Sequence, residues 1–92
     1  MATVKTAIRM KTLEGFQGAA ALYRVEPMIA GHRWIVVSAV DAMLSGPETY
    51  IFPANKRGEV TDWCEMEGSF RGALDHARAL RNIGYRIVKG AS

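Results

Sequence analysis

Cysteine is nearly absent from this chain: Cys64 is the single one in 92 residues. An internal disulfide is therefore excluded, and a hydrophobic core must supply the stability. Long apolar runs are missing as well. Arg24, Glu26, Ser38 and Asp41 interrupt the hydrophobic stretches well short of the roughly twenty apolar residues that a membrane-spanning helix needs. The N-terminus has no continuous apolar stretch between a basic start and a small-residue cleavage site, so a reduced, cytoplasmic protein is expected, with no membrane contact. Two histidines, His32 and His76, stand far from Cys64 in sequence, and no spacing joins them as nucleophile, base and orienting group. Gly15 and Gly18 are too closely spaced, and precede no clear helix, to form a phosphate-cradling loop. Glu59, Asp62, Glu65 and Glu67 lack the regular ligand spacing of a calcium loop. Neither enzyme chemistry, nor a metal, nor a cofactor is therefore expected.

Hydrophobic residues at 49% and charged residues at 23% fall in the range of ordinary globular proteins, so one small folded domain over 1–92 is expected, with a frayed tail at 90–92. The net charge of +3 conceals a segregation of signs. Residues 1–40 carry a balance of +3, residues 41–69 of −4 and residues 70–92 of +4. Such a pattern suits an acidic middle folded on basic elements, or faces of opposite sign that meet a partner.

The hydrophobic period is two over most of the chain. Thr3 to Lys11 alternates, with Val4, Thr6, Ile8 and Met10 on one face and Lys5, Ala7, Arg9 and Lys11 on a basic outer face. Ala19 to Glu26 reads as a strand ended by Pro27, and Pro27 to Gly31 as a loop. Arg33 to Val40 (RWIVVSAV) is the strongest strand, apolar on both faces and hence central. Ser45-Gly46-Pro47 breaks the chain, and Met43 and Leu44 before it are expected to tuck into the core. Thr49 to Phe52 and Glu59 to Thr61 read as arms of a hairpin, with Pro53 ending the first arm and Lys56 and Arg57 at the tip. Asp62 followed by Glu65 resembles a capping box, which predicts a short helical turn over Trp63 to Glu67.

From Ser69 the period becomes helical. Phe70, Ala73, Leu74, Ala77 and Leu80 share one face while Arg71, Asp75, Arg78 and Asn82 line the other. Ser69 is the expected N-cap, Gly84 the left-handed stop, and Tyr85 to Lys89 a last strand. The fold class is α+β: a small, mainly antiparallel sheet of four to six strands, order β-β-β-β-β-α-β, with one C-terminal amphipathic helix packed on one face. The expected core joins Trp34, Val36, Ile51, Phe70, Leu74, Ala77 and Leu80.

At GPETYIFPANKRGEVTDW (Gly46 to Trp63) and GSFRGALDHARALRNIGY (Gly68 to Tyr85) the chain resembles small uncharacterised proteins encoded by tailed phages of actinobacteria. The resemblance covers about the C-terminal half. Its signatures are structural, so it assigns no site residues and implies a setting: a short phage product in the host cytoplasm that binds a macromolecule. A non-enzymatic module for protein–protein interaction is the leading expectation. The alternative is nucleic-acid binding through Lys56, Arg57, Arg71, Arg78, Arg81 and Arg86, with Lys89 added to the same basic surface. Self-association into a homo-oligomer is expected where Lys5, Arg9 and Lys11 of one copy meet Glu59, Glu65 and Glu67 of another.

Overall fold

The computed structural model describes residues 5–15, 18–42 and 46–88. Met43 and Leu44, Val4, Lys89 and the tail at 90–92 lie outside the described residues. Six strands, β1 (Thr6–Leu13), β2 (Ala19–Ile29), β3 (His32–Ala42), β4 (Gly46–Ala54), β5 (Phe70–Arg71) and β6 (Arg86–Val88), form one sheet in the order β5-β4-β3-β2-β1-β6. β1 to β5 are antiparallel to their neighbours, and β6 is parallel to β1. A helix, α1 (His76–Asn82), carries the chain from the β5 edge to the β6 edge. The α+β class and the element order are therefore as the sequence predicts.

β3 is central, as its sequence demands. Ile35 and Val37 enter a core beneath α1 with Ala7, Ala21, Tyr23, Val25, Ile51, Ala79, Leu80 and Tyr85. Val36 faces the other way, into a second cluster with Ala20, Leu22 and Ala54, against which Leu13, Trp34 and Val60 pack. The single core expected from the sequence is thus two, one on each face of the sheet. Trp34 and Val36 belong to the second, and Leu74 to neither, being 51% exposed.

All three prolines lie inside strands, where the sequence predicts strand ends at Pro27 and Pro53 and a chain break at Pro47. In β4 the reason is parity. Pro47, Ile51 and Pro53 direct their backbone groups away from β3, since their carbonyls accept from Gly72, Met66 and Thr61 at 2.7 to 2.9 Å. A proline at such a position removes no ladder bond to β3. The Ser69 hydroxyl accepts from the Ile51 N–H at 2.9 Å, so the irregular segment 61–69 and the short β5 after it cover the edge of β4 that would otherwise invite pairing. β2 also runs through Pro27 to Ile29, with a register shift between Arg24 and Ile29. The loop expected at 27–31 is a two-residue turn, Ala30-Gly31, with φ of 49° and 84°, the positive pair of a type I′ hairpin.

β1 departs from simple alternation. A bulge between Arg9 and Lys11 changes the parity, so that Ala7 is buried under α1 while Leu13 packs in the cluster on the opposite face. The inward residue near the start of β1 is therefore Ala7, on the face predicted to be outer and basic, and Met10 is exposed. A Cβ at Gly58 would come within 2.7 Å of the Leu13 side chain and 3.3 Å of Lys11. The tip of the hairpin after β4 thus folds over to β1 and closes the second cluster.

The helix is half the expected length. Gly72 has φ of 109°, which no α-helix accommodates, and the buried Thr49 hydroxyl donates to Ala73 O at 2.8 Å and accepts from Asp75 N at 3.0 Å, which fixes 73–75 as non-helical. Asp75 rather than Ser69 is the N-cap, accepting from Arg78 N at 3.1 Å. The C-terminus is as predicted: Gly84 N–H donates to Arg81 O and Tyr85 N–H to Leu80 O, the paired bonds of a Schellman stop. The stripe that α1 and its stop bury is Ala79, Leu80 and Ile83, rotated from the predicted one.

Candidate functional site

The alternate residues Glu48, Tyr50 and Phe52 of β4 point away from α1, because Ile51 between them is buried beneath it. They form a row. Glu48 is 5% exposed, held by the Arg71 guanidinium at 3.1 Å and by a hydrogen bond from the Tyr50 hydroxyl. Tyr50 stacks on Phe52 with centroids 5.9 Å apart, and the Trp63 ring meets Phe52 edge-on at 5.2 Å and 64°. Trp63 remains 66% exposed. Its position follows from the chain on either side: Thr61 N–H is tied to Pro53 O, and Asp62 accepts from the Cys64 N–H at 2.9 Å. That Asx turn replaces the helical turn expected over Trp63 to Glu67, and the fifth strand expected at Glu59 to Thr61 reduces to a bridge between Ala54 and Val60.

The segment that carries Trp63 has charge of one sign. Residues 59–67 contain Glu59, Asp62, Glu65 and Glu67 and no lysine or arginine. A hydrogen bond from the Cys64 N–H holds Asp62 below the usual carboxylate range, which keeps it charged. The same carboxylate accepts from the Cys64 thiol and pushes that thiol up, so the exposed cysteine is a poorer nucleophile than a free one. His32 opens β3, while His76 lies on the α1 side of the sheet with Tyr23.

The basic residues singled out in the sequence do not form one surface. Arg71 and Arg86 lie on the two outermost strands, at opposite edges of the sheet. Arg71 is paired with Glu48 and Arg57 with Glu59 at 2.9 Å. Arg78 covers the Phe70 ring at 4.7 Å, Arg81 lies exposed in the last turn of α1, and Lys56 stands beside Arg57 at the hairpin tip. There the Asn55 side chain accepts from the N–H groups of Arg57 and Glu59. The ridge of Lys5, Arg9 and Lys11 is also divided. Lys5 lies over the Tyr85 ring at 5.7 Å, Arg9 is on the α1 side and Lys11 on the other. Nor is β1 an open edge throughout, since β6 pairs with Thr6, Ala7 and Ile8. Among the described residues no group of three or more His, Cys, Asp and Glu side chains could hold a metal ion, and no helix is long and apolar enough to cross a membrane.

His76 is the second histidine the sequence left without a role. Its Nε2 lies 2.9 Å from Ala19 O, so Nε2–H donates to that carbonyl and Nδ1 accepts from the Tyr23 hydroxyl at 3.2 Å. This is the neutral form, and burial lowers its pKa from the ordinary 6.5. Unfolding at acid pH therefore binds an extra proton. The contribution of His76 is complete above pH 6.5 and is lost as pH falls from there through its folded value. Between about pH 7 and about pH 5 the thermal midpoint of the native protein should fall more steeply than that of His76→Gln. Parallel slopes in the two proteins would show that the ring is not buried in its neutral form.

No family model, no curated protein and no solved structure matches this chain.

Proposed function

We propose that the protein is a non-enzymatic binding module that engages a basic protein surface through the Tyr50, Phe52 and Trp63 row. The observation that carries this is Trp63, 66% exposed yet held against Phe52. A large aromatic already fixed in position loses little entropy on binding, and tryptophan and tyrosine dominate interface energetics for that reason among others. The acidic residues that flank Trp63 in the chain, Asp62, Glu65 and Glu67, then favour a partner rich in lysine and arginine over nucleic acid. A second copy of the chain, offering Lys5 or Arg86, is one partner of that kind and would make the protein a homo-oligomer. A bacterial cytoplasm, as host to a phage product, is the setting implied by the sequence resemblance.

Trp63→Ala should weaken partner binding about thirtyfold or more, the loss that follows from truncating an interface tryptophan worth about 2 kcal/mol. Affinity capture from actinobacterial lysate, with wild type and Trp63→Ala compared before and after nuclease treatment, tests this. Supporting the proposal are captured proteins that survive nuclease and disappear with the variant. Capture abolished by nuclease favours the nucleic-acid reading through Lys56, Arg78, Arg81 and Arg86. Light scattering of the purified protein identifies self-association, through a mass above 10.1 kDa that falls with salt.

A further inference from the structure

On the α1 side, apart from the aromatic row, a cavity of about 530 Å³ opens between the sheet and the start of the helix. This size is typical of small-ligand sites. Gly18, Ala19 and Ala39 form a shallow floor because none carries a side chain beyond Cβ, and Leu74, Ala77 and Ile87 provide apolar walls. Tyr23 and His76 are locked to each other and to Ala19 O, so they shape the cavity without needing a ligand to satisfy them. Arg9 is different. Its hydrogen bond is to the neutral Thr12 hydroxyl at 2.9 Å, and among the described residues no carboxylate lies within ion-pair range of it. Several other arginines have an acidic or aromatic neighbour: Arg24 and Arg33 share Glu26, Arg57 has Glu59, Arg71 has Glu48, and Arg78 on α1 has Phe70.

The bulge at Arg9 and Lys11 gives this placement its cause. Without the extra residue β1 would keep Lys11 on the α1 side after Arg9; with it, Arg9 is the last basic residue on that face. Its field also reaches Tyr23 and His76. Asp41 and Asp75 belong to the same lining, Asp75 being committed to the helix cap. Their negative charge penalises a dianion such as phosphate more than a singly charged group. Leu74, half exposed although apolar, is the wall a ligand would cover.

We infer that this cavity binds a single carboxylate on a small apolar body, the carboxylate pairing with Arg9 and the body lying against Leu74, Ala77 and Ile87. A free branched-chain carboxylic acid and the C-terminal leucine of a peptide share that chemistry.

The test is a titration of the whole isotopically labelled protein, followed through its amide resonances, with three probes: 4-methylpentanoate, its neutral amide, and acetyl-Gly-Gly-Leu with a free carboxylate. Saturable shifts at Ala19, Tyr23, His76 and Ile87 are expected with the acid. The amide should bind about tenfold or more weakly, as loss of a charge-assisted hydrogen bond implies. Tighter binding of the tripeptide than of the acid identifies a peptide C-terminus as the ligand, and the reverse order identifies a small acid. Arg9→Gln should reduce acid binding to the level of the amide while its own amide spectrum stays folded, and Arg9→Lys should retain part of it. Equal binding of acid and amide to the native protein, or no saturable shift with either carboxylate, overturns the inference even where the variants do not fold.

Discussion

Leu80→Ala should lower stability by about 2 to 5 kcal/mol, whereas Leu74→Ala should change it by no more than about 0.5 kcal/mol. The two leucines are six residues apart and fall on one predicted helix face, but the structure separates them completely. Leu80 is 0% exposed, packed where α1 meets Ile51, Tyr23 and Tyr85, and its carbonyl accepts from Tyr85 in the helix stop. Truncation there removes buried methyls and leaves a cavity that strands on one side and helix on the other cannot both fill. Leu74 lies before the helix with half its surface in water. Urea midpoints at unchanged m decide between these outcomes. Equal losses in the two variants would mean that Leu74 is part of the packed core after all. For a small domain with a total stability of about 5 kcal/mol, the Leu80 change alone approaches unfolding.

Gly18→Ala is the second large effect. The Cβ would stand 2.1 Å from Ala39 O and 3.0 Å from Ala39 C, at φ of 86°. Neither atom can retreat, because Ala39 is paired with Ala19 on one side and Thr49 on the other, in the middle of the sheet. A combined cost of about 2 to 5 kcal/mol is expected, from the left-handed backbone and from overpacking. Gly31→Ala is the control. It has φ of 84° and no atom within 4 Å of the added Cβ, so it should show only the backbone part, about 1 to 2 kcal/mol. The difference between the two melting curves isolates the contact, and coincident curves would place β3 farther from Gly18 than the structure has it.

Much of the fold was legible from local pattern. RWIVVSAV announced a central strand because both of its faces are apolar, and both are covered. Gly84 followed by Tyr85 announced a helix stop because the bonds of that motif involve only neighbours along the chain. The errors share a different origin. Proline ends a strand only when its missing N–H faces a partner strand, and parity relative to β3 is not written in the residue itself. Ser69 has the chemistry of an N-cap, but the Ile51 N–H, eighteen residues away, claims its hydroxyl. The helical period from Phe70 was partly accidental, since Phe70 and Arg71 pair with Thr49 and Glu48 as a strand.

The candidate site divides in the same way. Tyr50 and Phe52 at period two, Trp63 just beyond, and the acidic run around it are all in the sequence; that the three rings touch is not. Basic residues were easy to find and hard to assemble, because charge along a chain carries no information about which edge of a sheet it will reach. Sequence by itself determined what each segment could become: the strands from β-branched and aromatic alternation, the turns from glycine, the helix stop, and the absence of a disulfide. Tertiary structure decided which of those local options survived. Backbone groups left unpaired at the edge of β4 had to find partners, the bulge in β1 had to choose a face for Arg9, and the two faces of β3 had to be covered by different parts of the chain. Each is a contact between residues far apart in sequence, whose free energy exceeds the few tenths of a kcal/mol to about 1 kcal/mol by which local propensities differ.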